Sequence, residues 1–297
     1  MNNPQNSQQD VSAPKACTAA IAAFTIWGLA ALFWDLLSHV DSGKVFGQRV
    51  LWAFVILCLC LNKKVFVLIR QLISQPKELL LSLVSSACIG VNWYIFIYAI
   101  EQNRVLEISL GYFLNPLCNV LAGILFFRES SNKLQYSLFG LIFLAIASES
   151  IVTGSFGWIA VVLALTFCAY GVTKKMRETT GFSSLFIETA IILPIVLSLG
   201  KVSLSDFSLP SSDLILFVLG GAITLAPLGL FSFGAKHLQL KTVGLIQYLA
   251  PTLQFMTGIL YFQETVSTPR LISFSVVWFV IVVLLLEGQF FNKPKTH

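Results

Sequence analysis

Long apolar stretches separated by short polar breaks run along almost the whole chain of 297 residues. A helix that crosses a bilayer needs about 20 predominantly apolar residues, whereas the strands of an outer-membrane barrel alternate polar and apolar residues in pieces of about ten. The pattern therefore predicts an all-α polytopic membrane protein. Its ten predicted transmembrane helices cover residues 16–37, 45–61, 78–100, 106–127, 134–152, 157–173, 182–200, 213–235, 242–262 and 271–290.

The composition agrees with a lipid environment. Hydrophobic residues make up 56% of the chain and charged residues 11%, with a mean hydropathy of +0.82. A soluble domain is roughly one quarter charged, so this chain would expose large apolar patches if it folded in water. We therefore exclude a soluble enzyme, a nucleic-acid binder and a disordered linker, and we expect the lipid bilayer to be its first partner.

The distribution of cationic residues predicts the orientation. Most of the 19 Lys and Arg residues lie in alternate polar segments that begin with the N-terminal tail, whereas Lys44, Arg104, Lys201 and Arg270 lie in the other segments. Because cytoplasmic loops carry the excess of Lys and Arg, we predict cytoplasmic tails at residues 1–15 and 291–297. The first apolar run is too long for the core of a cleaved secretory signal, so we expect it to be retained.

Cysteine and histidine usage gives no sign of metal or cofactor chemistry. All six cysteines lie in apolar stretches without a C-x-x-C pair, and the three histidines lie in predicted loops or at the terminus. The chain also lacks the G-x-x-x-x-G-K-[ST] phosphate-binding motif. We therefore expect no metal, no cofactor and no enzymatic activity.

An internal duplication links the fourth and ninth predicted spans. Without gaps, residues 110–129 and 245–264 are identical at eight of twenty positions. Chance matches are common among apolar segments, but proline, glycine and glutamate are scarce in spans. The identical positions include the pairs Pro116/Pro251, Gly123/Gly258 and Glu129/Glu264.

The spacing of the two copies predicts an inverted repeat. They lie five spans apart, and an odd offset means that the second copy enters the membrane from the opposite side. Inverted repeats are typical of secondary transporters, whose substrate site lies near the midplane between the halves. We predict two five-helix repeats, at residues 16–152 and 157–290, that exchange conformations to give alternating access.

Ionisable residues inside spans are costly in lipid and are candidates for function. Arg49 lies in the outer part of the second span, level with Glu107 and Asp35, and we predict that it pairs with one of them. The pair is either a static strut or a substrate contact. Glu188 lies in the seventh span with no cation level with it, and a buried carboxyl group without a partner favours its protonated form. Asp35 and Glu188 are therefore predicted coupling or gating residues.

Uncharged polar and aromatic residues complete the predicted substrate site. Amides must find partners away from the acyl chains, so they should face the interior of the bundle. Together with Arg49 and Glu107, the predicted substrate-binding residues are Trp27, Asn92, Trp93, Tyr112, Asn115, Tyr170, Gln247 and Tyr248. Pro116 and Pro251 are predicted helix breaks whose freed carbonyl groups line a cavity, with a packing kink as the alternative.

Several motifs resemble those of one transporter family. They are Ile26-Trp27-Gly28-Leu29, Arg49-Val50-Leu51-Trp52, Gly90-Val91-Asn92-Trp93, the run from Glu107 to Leu117 (EISLGYFLNPL), Phe167-Cys168-Ala169-Tyr170-Gly171, Ile187-Glu188-Thr189, Ala226-Pro227-Leu228 and Gln247-Tyr248-x-x-Pro251-Thr252. The chain is similar here to RarD-type permeases of the EamA family, in the drug/metabolite transporter superfamily. The resemblance implies two five-helix halves, a bacterial inner membrane and movement of small metabolites. Asp35 departs from the family pattern.

The leading hypothesis is a permease that moves a small metabolite or drug-like solute by alternating access, with proton coupling left open. The alternative is an intramembrane enzyme or flippase that acts on a lipid-linked substrate. The chain lacks histidine clusters, a D-D-x-x-D motif and a G-x-S-x-G elbow, which disfavours the enzyme. A non-catalytic membrane partner protein would not require a duplicated polar helix. Substrate, direction and oligomeric state stay open.

Overall fold

The computed structural model describes residues 13–62, 64–127, 133–153, 157–179, 181–203, 211–238 and 246–291. Helices dominate these residues. They are α1 (Ala13–Asp35), α2 (Ser42–Leu61), α3 (Lys64–Ser74), α4 (Pro76–Glu101), α5 (Val105–Phe127), α6 (Lys133–Thr153), α7 (Trp158–Met176), α8 (Gly181–Ser198), α9 (Ser211–His237), α10 (Leu249–Leu260) and α11 (Thr268–Phe291). The predicted all-α fold is confirmed. Most of the two predicted tails (residues 1–12 and 292–297) and Glu129 lie outside the described residues.

Six helices, α1, α2, α4, α7, α8 and α9, are long and apolar enough to cross a membrane. Four shorter apolar helical stretches lie within α5, α6, α10 and α11. These ten helices coincide along the chain with the ten predicted spans. The protein is therefore a multi-pass membrane protein, and crossing by all ten helices stays a prediction.

The short helix α3 lies in a segment that the sequence pattern left as a polar break between two spans. Val65, Leu68 and Leu72 pack against the apolar core. Phe66 and Ile73, in contrast, are 79% and 71% exposed. Eleven residues cannot cross a bilayer, and a short helix with exposed apolar side chains fits a position along the membrane surface.

Contacts at one end of the bundle bring together the loops that follow α1, α4, α6, α8 and α10. Lys201 binds Asp41 at 2.9 Å, and His39 contacts Asp213 at 3.1 Å. Further along this end, Glu264 accepts a hydrogen bond from the backbone N–H of Leu106, and Gly157 lies beside the carboxylate of Glu107. We call this the Glu107 end.

The opposite end contains the start of α1 and α4, the end of α7 and α9, and the start of α8. Arg177 binds Glu78 at 2.9 Å there, and Gly234 packs closely against Ala16. We call this the Arg177 end. Successive long helices therefore run in alternate directions, so that α1 and α7 point oppositely, as do α2 and α8.

Helix packing is symmetric between the first half of the chain (α1–α6) and the second (α7–α11). Helix α1 packs against α9 and α10, as α7 packs against α4 and α5. Likewise α2 packs against α9, as α8 packs against α4. The inverted repeat makes α4 equivalent to α9, and three further pairs of equivalent helices pack directly against each other: α2 with α8, α5 with α10, and α6 with α11. This arrangement is the one expected of two inverted five-helix units. The limits 16–152 and 157–290 stay a prediction.

The two predicted helix breaks occupy different positions in their helices. Pro116 lies inside α5, whose helical backbone is continuous from Val105 to Phe127. Pro251 lies in the first turn of α10, where the missing backbone N–H would have no partner within the helix. The structure thus corrects the expectation of an interruption at Pro116, since the helix runs through this residue.

Candidate functional site

A cavity of about 460 Å³ lies at the centre of the bundle. Its walls come from α1, α2, α4 and α5 of the first half and from α7, α8, α9 and α10 of the second. The lining residues Phe182 and Ser232, toward the Arg177 end, are exposed. At the deep end Trp34 and Phe96 are only 3% and 6% exposed. The cavity therefore opens toward the Arg177 end, and its volume suits a small solute.

The structure brings most of the predicted substrate-binding residues to this cavity. Those that line it are Trp27, Arg49, Asn92, Trp93, Tyr112, Asn115, Tyr170 and Gln247. Glu107 and Tyr248 lie elsewhere. The side chain of Tyr248 stacks on Phe113 with a ring-centroid distance of 6.4 Å, within the apolar core between α5, α10 and α11.

Arg49 presents its guanidinium group to the cavity between aromatic side chains. Its Nε donates to Thr224 Oγ1 at 2.9 Å, and Thr224 in turn donates to the carbonyl of Gly220. The guanidinium carbon lies 4.4 Å from the ring centroid of Trp93 and 5.1 Å from that of Trp34. Cation–π contacts of this kind stabilise a desolvated cation, and no acid pairs with Arg49 among the residues that the structure describes.

The predicted pairing of Arg49 with Glu107 or Asp35 is wrong. Glu107 accepts from Arg104 Nε at 2.7 Å, at the start of α5. Asp35 accepts from the hydroxyl of Tyr261 at 3.0 Å, at the end of α1. Both acids therefore belong to the Glu107 end of the bundle rather than to the cavity wall.

Asn92 joins α4, α5 and α7 beside the cavity. Its Nδ2 donates to the carbonyl of Leu163 and to Thr166 Oγ1, both at 3.0 Å. Its Oδ1 accepts from the hydroxyl of Tyr112 at 3.3 Å. These three hydrogen bonds fix the orientation of the amide.

Two further amides offer unused acceptors. Asn115 Oδ1 and Gln254 Oε1 are buried without a hydrogen-bond partner among the described residues, and both side chains line the cavity. Gln254 Nε2 donates to the carbonyl of Trp27 at 3.2 Å, which orients its carbonyl group. A buried acceptor without a partner is costly, so both oxygens are suited to accept from water or from a solute.

Glu188 is fully buried behind the cavity wall and is the centre of a hydrogen-bond network. Its carboxylate accepts from Lys174 at 2.9 Å, from Arg177 at 2.8 Å and from the Tyr170 hydroxyl at 3.0 Å. Ser85 and Ser184 also donate to it. The expectation that Glu188 has no cation level with it is therefore wrong, because the long side chains of Lys174 and Arg177 reach back from the end of α7.

The network continues from Glu188 to the first half of the chain. Arg177 Nε donates to Glu78 Oε1 at 2.9 Å, and the backbone N–H of Glu178 donates to Glu78 Oε2 at 3.2 Å. The side chains of Arg177 and Glu188 are both 0% exposed. Two acids and two cations balance one another, as buried charges require, and they tie α4 to α7 and α8.

A second set of polar contacts closes the Glu107 end. Glu264 Oε1 accepts from the backbone N–H groups of Val105 and Leu106, which are free donors at the start of α5. Burial raises the pKa of Glu264 to about 7. The hydrogen bond from Lys201 lowers the pKa of Asp41 in the loop after α1. The contacts of Glu264 with α5 and of Lys201 with Asp41 each join the first half of the chain to the second.

Several cavity residues escaped the sequence analysis. They are Trp34, Lys174, Thr224, Phe231 and Gln254. The repeat alignment held a signal for one of them, since it pairs Gln254 with Asn119, which also lines the cavity. Lys174 lies within a run of charged residues that predicts a loop between spans. Nothing in the local sequence indicates that Thr224 lines a cavity.

The charges around the cavity are unbalanced. Arg49 and Lys174 are its two cationic lining residues, and the described lining contains neither Asp nor Glu. Lys174 is neutralised by Glu188. Arg49 is left as the net charge that a solute would meet, in walls built mainly from aromatic and aliphatic side chains.

The fold and its cavity define a multi-pass helical membrane protein of the transporter class. A model of the EamA-like transporter family matches residues 14–148. The chain is 36% identical to "Protein RarD" of Streptomyces exfoliatus, over 90% of this chain and 86% of the relative. It is 33% identical to an uncharacterized transporter of Vibrio cholerae, over 95% and 94% of the two chains, and 30% identical to "Protein RarD" of Escherichia coli, over 92% and 95%.

The chain therefore belongs to the EamA family of drug/metabolite transporters and is of the RarD type. A solved crystal structure matches it with a TM-score of 0.51 at 15% identity, over 92% of this chain and 98% of that chain. This likeness concerns the fold alone. The family agrees with the resemblance found in the motifs.

Proposed function

We propose that the protein is a secondary transporter that moves a small metabolite or drug-like solute across the bacterial inner membrane by alternating access. The observation that carries the proposal is the central cavity, which is lined by helices of both halves of the chain. Inverted halves around a shared midplane site are the architecture of many secondary transporters.

The two ends of the bundle supply the contacts that alternating access would have to exchange. At the closed Glu107 end, loop contacts such as Glu264 to α5 and Lys201 to Asp41 join the halves. At the Arg177 end, the halves are joined beside the open cavity through Arg177 and Glu78. In the opposite conformation, the Glu107-end contacts would break and the Arg177 end would close over the solute.

The orientation rests on the charge distribution. Excess Lys and Arg in the segments of the Arg177 end favour a cytoplasmic position for that end and for both termini. The cavity would then face the cytoplasm. Proton coupling draws no support from Glu188, since that carboxylate is paired with two cations.

The test begins with an unbiased comparison of metabolites in cells and medium, with and without the protein. Solutes that change are then offered to the purified protein in liposomes, with and without an imposed pH gradient. We expect saturable uptake that depends on the protein. Stimulation by the gradient would establish proton coupling, and the absence of uptake for every solute that changes in cells would contradict the transporter.

A further inference from the structure

Arg49 is a cation held at the wall of the cavity, and the cavity lining in the described part of the chain contains no acid. Among the described residues, its polar contact is the neutral hydroxyl of Thr224, which engages Nε at 2.9 Å. Its Nη1 and Nη2 have no hydrogen-bond partner in the described part of the chain, and Arg49 lines the cavity. The paired donors of a guanidinium group match a carboxylate in geometry and charge.

The tryptophans around Arg49 keep it in place without competing for those donors. Trp93 lies at 4.4 Å and Trp34 at 5.1 Å from the guanidinium carbon, so both rings present π-electrons rather than a carboxylate. Trp34 and Trp93 are also buried, with 3% and 7% exposure. An anion that binds here would be shielded from water. Hydrogen bonds between charged groups are stronger in such a low-dielectric environment than in water.

One part of the cavity wall is aromatic and suits an apolar body. Trp27 and Phe231 lie with ring centroids 5.8 Å apart, and Phe24 meets both rings. The second cation of the lining, Lys174, is already bound by Glu188 and Ser184. The cavity therefore offers one unneutralised positive group and an aromatic compartment.

We propose that the solute is an amphipathic organic monoanion whose carboxylate binds Arg49 and whose aromatic or branched apolar body lies among the aromatic side chains. This inference rests on the proposed transport function, because it names the class of solute that the transporter would carry. Nothing in the family match or the names of the relatives specifies this class.

The test measures binding first, with three probes that share one ring and one chain length. They are 3-phenylpropionate, its neutral amide and 3-phenylpropylamine, titrated calorimetrically into the purified protein in lipid nanodiscs. We expect the carboxylate to bind at least roughly tenfold more tightly than the amide, since charge-assisted hydrogen bonds are roughly twice as strong as neutral ones, and the amine to bind most weakly.

Variants then assign the preference to Arg49. Arg49→Gln should abolish the preference for the carboxylate, and Arg49→Lys should restore part of it, because Lys keeps the charge but loses the paired donors. Lys133→Gln is the matched control, since it removes an exposed cation at the start of α6 that does not line the cavity. It should leave the preference unchanged.

Binding and uptake distinguish this inference from the transporter proposal. Equal binding of the three probes, undetectable binding of the carboxylate, or a carboxylate preference that survives in Arg49→Gln would overturn the monoanion. Liposome uptake of neutral or cationic solutes without a preference for carboxylates would also contradict the monoanion inference. That result would still support the proposed transport function. A carboxylate preference that depends on Arg49, without uptake of any solute, would support the site and contradict transport.

Discussion

Arg177 Nη1 lies 2.8 Å from Glu188 Oε1, and neither side chain is exposed. Arg177 follows α7 and Glu188 lies in α8, so the pair fixes the turn between these helices. Arg177 also binds Glu78 of α4, which extends the pair to the first half of the chain. Tyr170 and Lys174 bind the same carboxylate and line the cavity, so a change at Glu188 reaches the cavity wall directly.

Glu188→Gln is expected to destabilise the protein strongly. The substitution keeps the size of the side chain but leaves Lys174 and Arg177 with one acid between them, and the loss of one partner from a buried ion pair costs roughly 3 kcal/mol or more. The measurement is thermal unfolding of the purified protein in detergent. Glu178→Gln makes the same charge change at an exposed side chain and should leave the melting temperature nearly unchanged. Equal melting temperatures for the two variants would contradict a structural role for the network.

Glu264 should make stability depend on pH near neutrality. Burial raises its pKa from 4.5 to about 7, so the folded protein holds a proton that the unfolded chain releases between these values. This contribution to stability is therefore complete below about pH 4.5 and is lost as the pH rises to about 7. Because the side chain is partly exposed, we expect an effect of roughly 1 kcal/mol.

The variant Glu264→Gln isolates this titration. Its amide oxygen can still accept from the N–H groups at the start of α5, but it carries no charge at any pH. Melting temperatures measured from pH 4 to pH 9 should converge for the two proteins at low pH, with the variant more stable above about pH 7. Parallel curves over the whole range would show that Glu264 does not titrate in this window.

Hydropathy was sufficient to locate the long helices, because lipid imposes both length and composition on a span. It could not find α3, since Lys64 and Arg70 break its apolar run and its eleven residues fall short of a span. Helix direction was predictable from the odd offset between the two copies. The continuity of α5 through Pro116 was not predictable from the sequence, because membrane helices tolerate proline when other groups satisfy the freed carbonyl.

The cavity was predictable in part for the same reason. Amides and tyrosines in spans must face the protein interior, which placed Asn92, Tyr112 and Asn115 correctly beside it. Partners were harder to predict, since depth in the membrane does not fix which way a side chain points around its helix. Glu107, which was predicted to be level with Arg49, is instead bound by Arg104, three residues earlier in the chain and just before α5.

The close approach of α2 and α9 depends on Gly221. A Cβ atom at this position would lie 2.8 Å from the backbone carbon of Trp52 and 2.9 Å from the backbone nitrogen of Ala53. Backbone atoms cannot move aside as a flexible side chain can, so Gly221→Ala should cost roughly 1–3 kcal/mol through separation of the two helices. In Gly140→Ala of α6, the added methyl group meets nothing within 4 Å. A melting temperature of Gly221→Ala as high as that of Gly140→Ala would contradict the predicted contact.

The inverted arrangement predicts that equivalent positions of the two copies lie on opposite faces of the membrane. Lys133 and Thr268 are the first residues of α6 and α11, both exposed, and they are separated by the same 135 positions as Pro116 and Pro251. In a variant whose six cysteines are replaced by serine or alanine, Lys133→Cys and Thr268→Cys form a matched pair.

A membrane-impermeant maleimide added to intact cells should label Thr268→Cys alone, and Lys133→Cys should react only after permeabilisation. Labelling of Lys133→Cys alone would contradict the orientation predicted from the Lys and Arg residues. It would still agree with an inverted repeat. Labelling of both in intact cells would remove the inversion, and with it the physical basis for exchange between two related conformations.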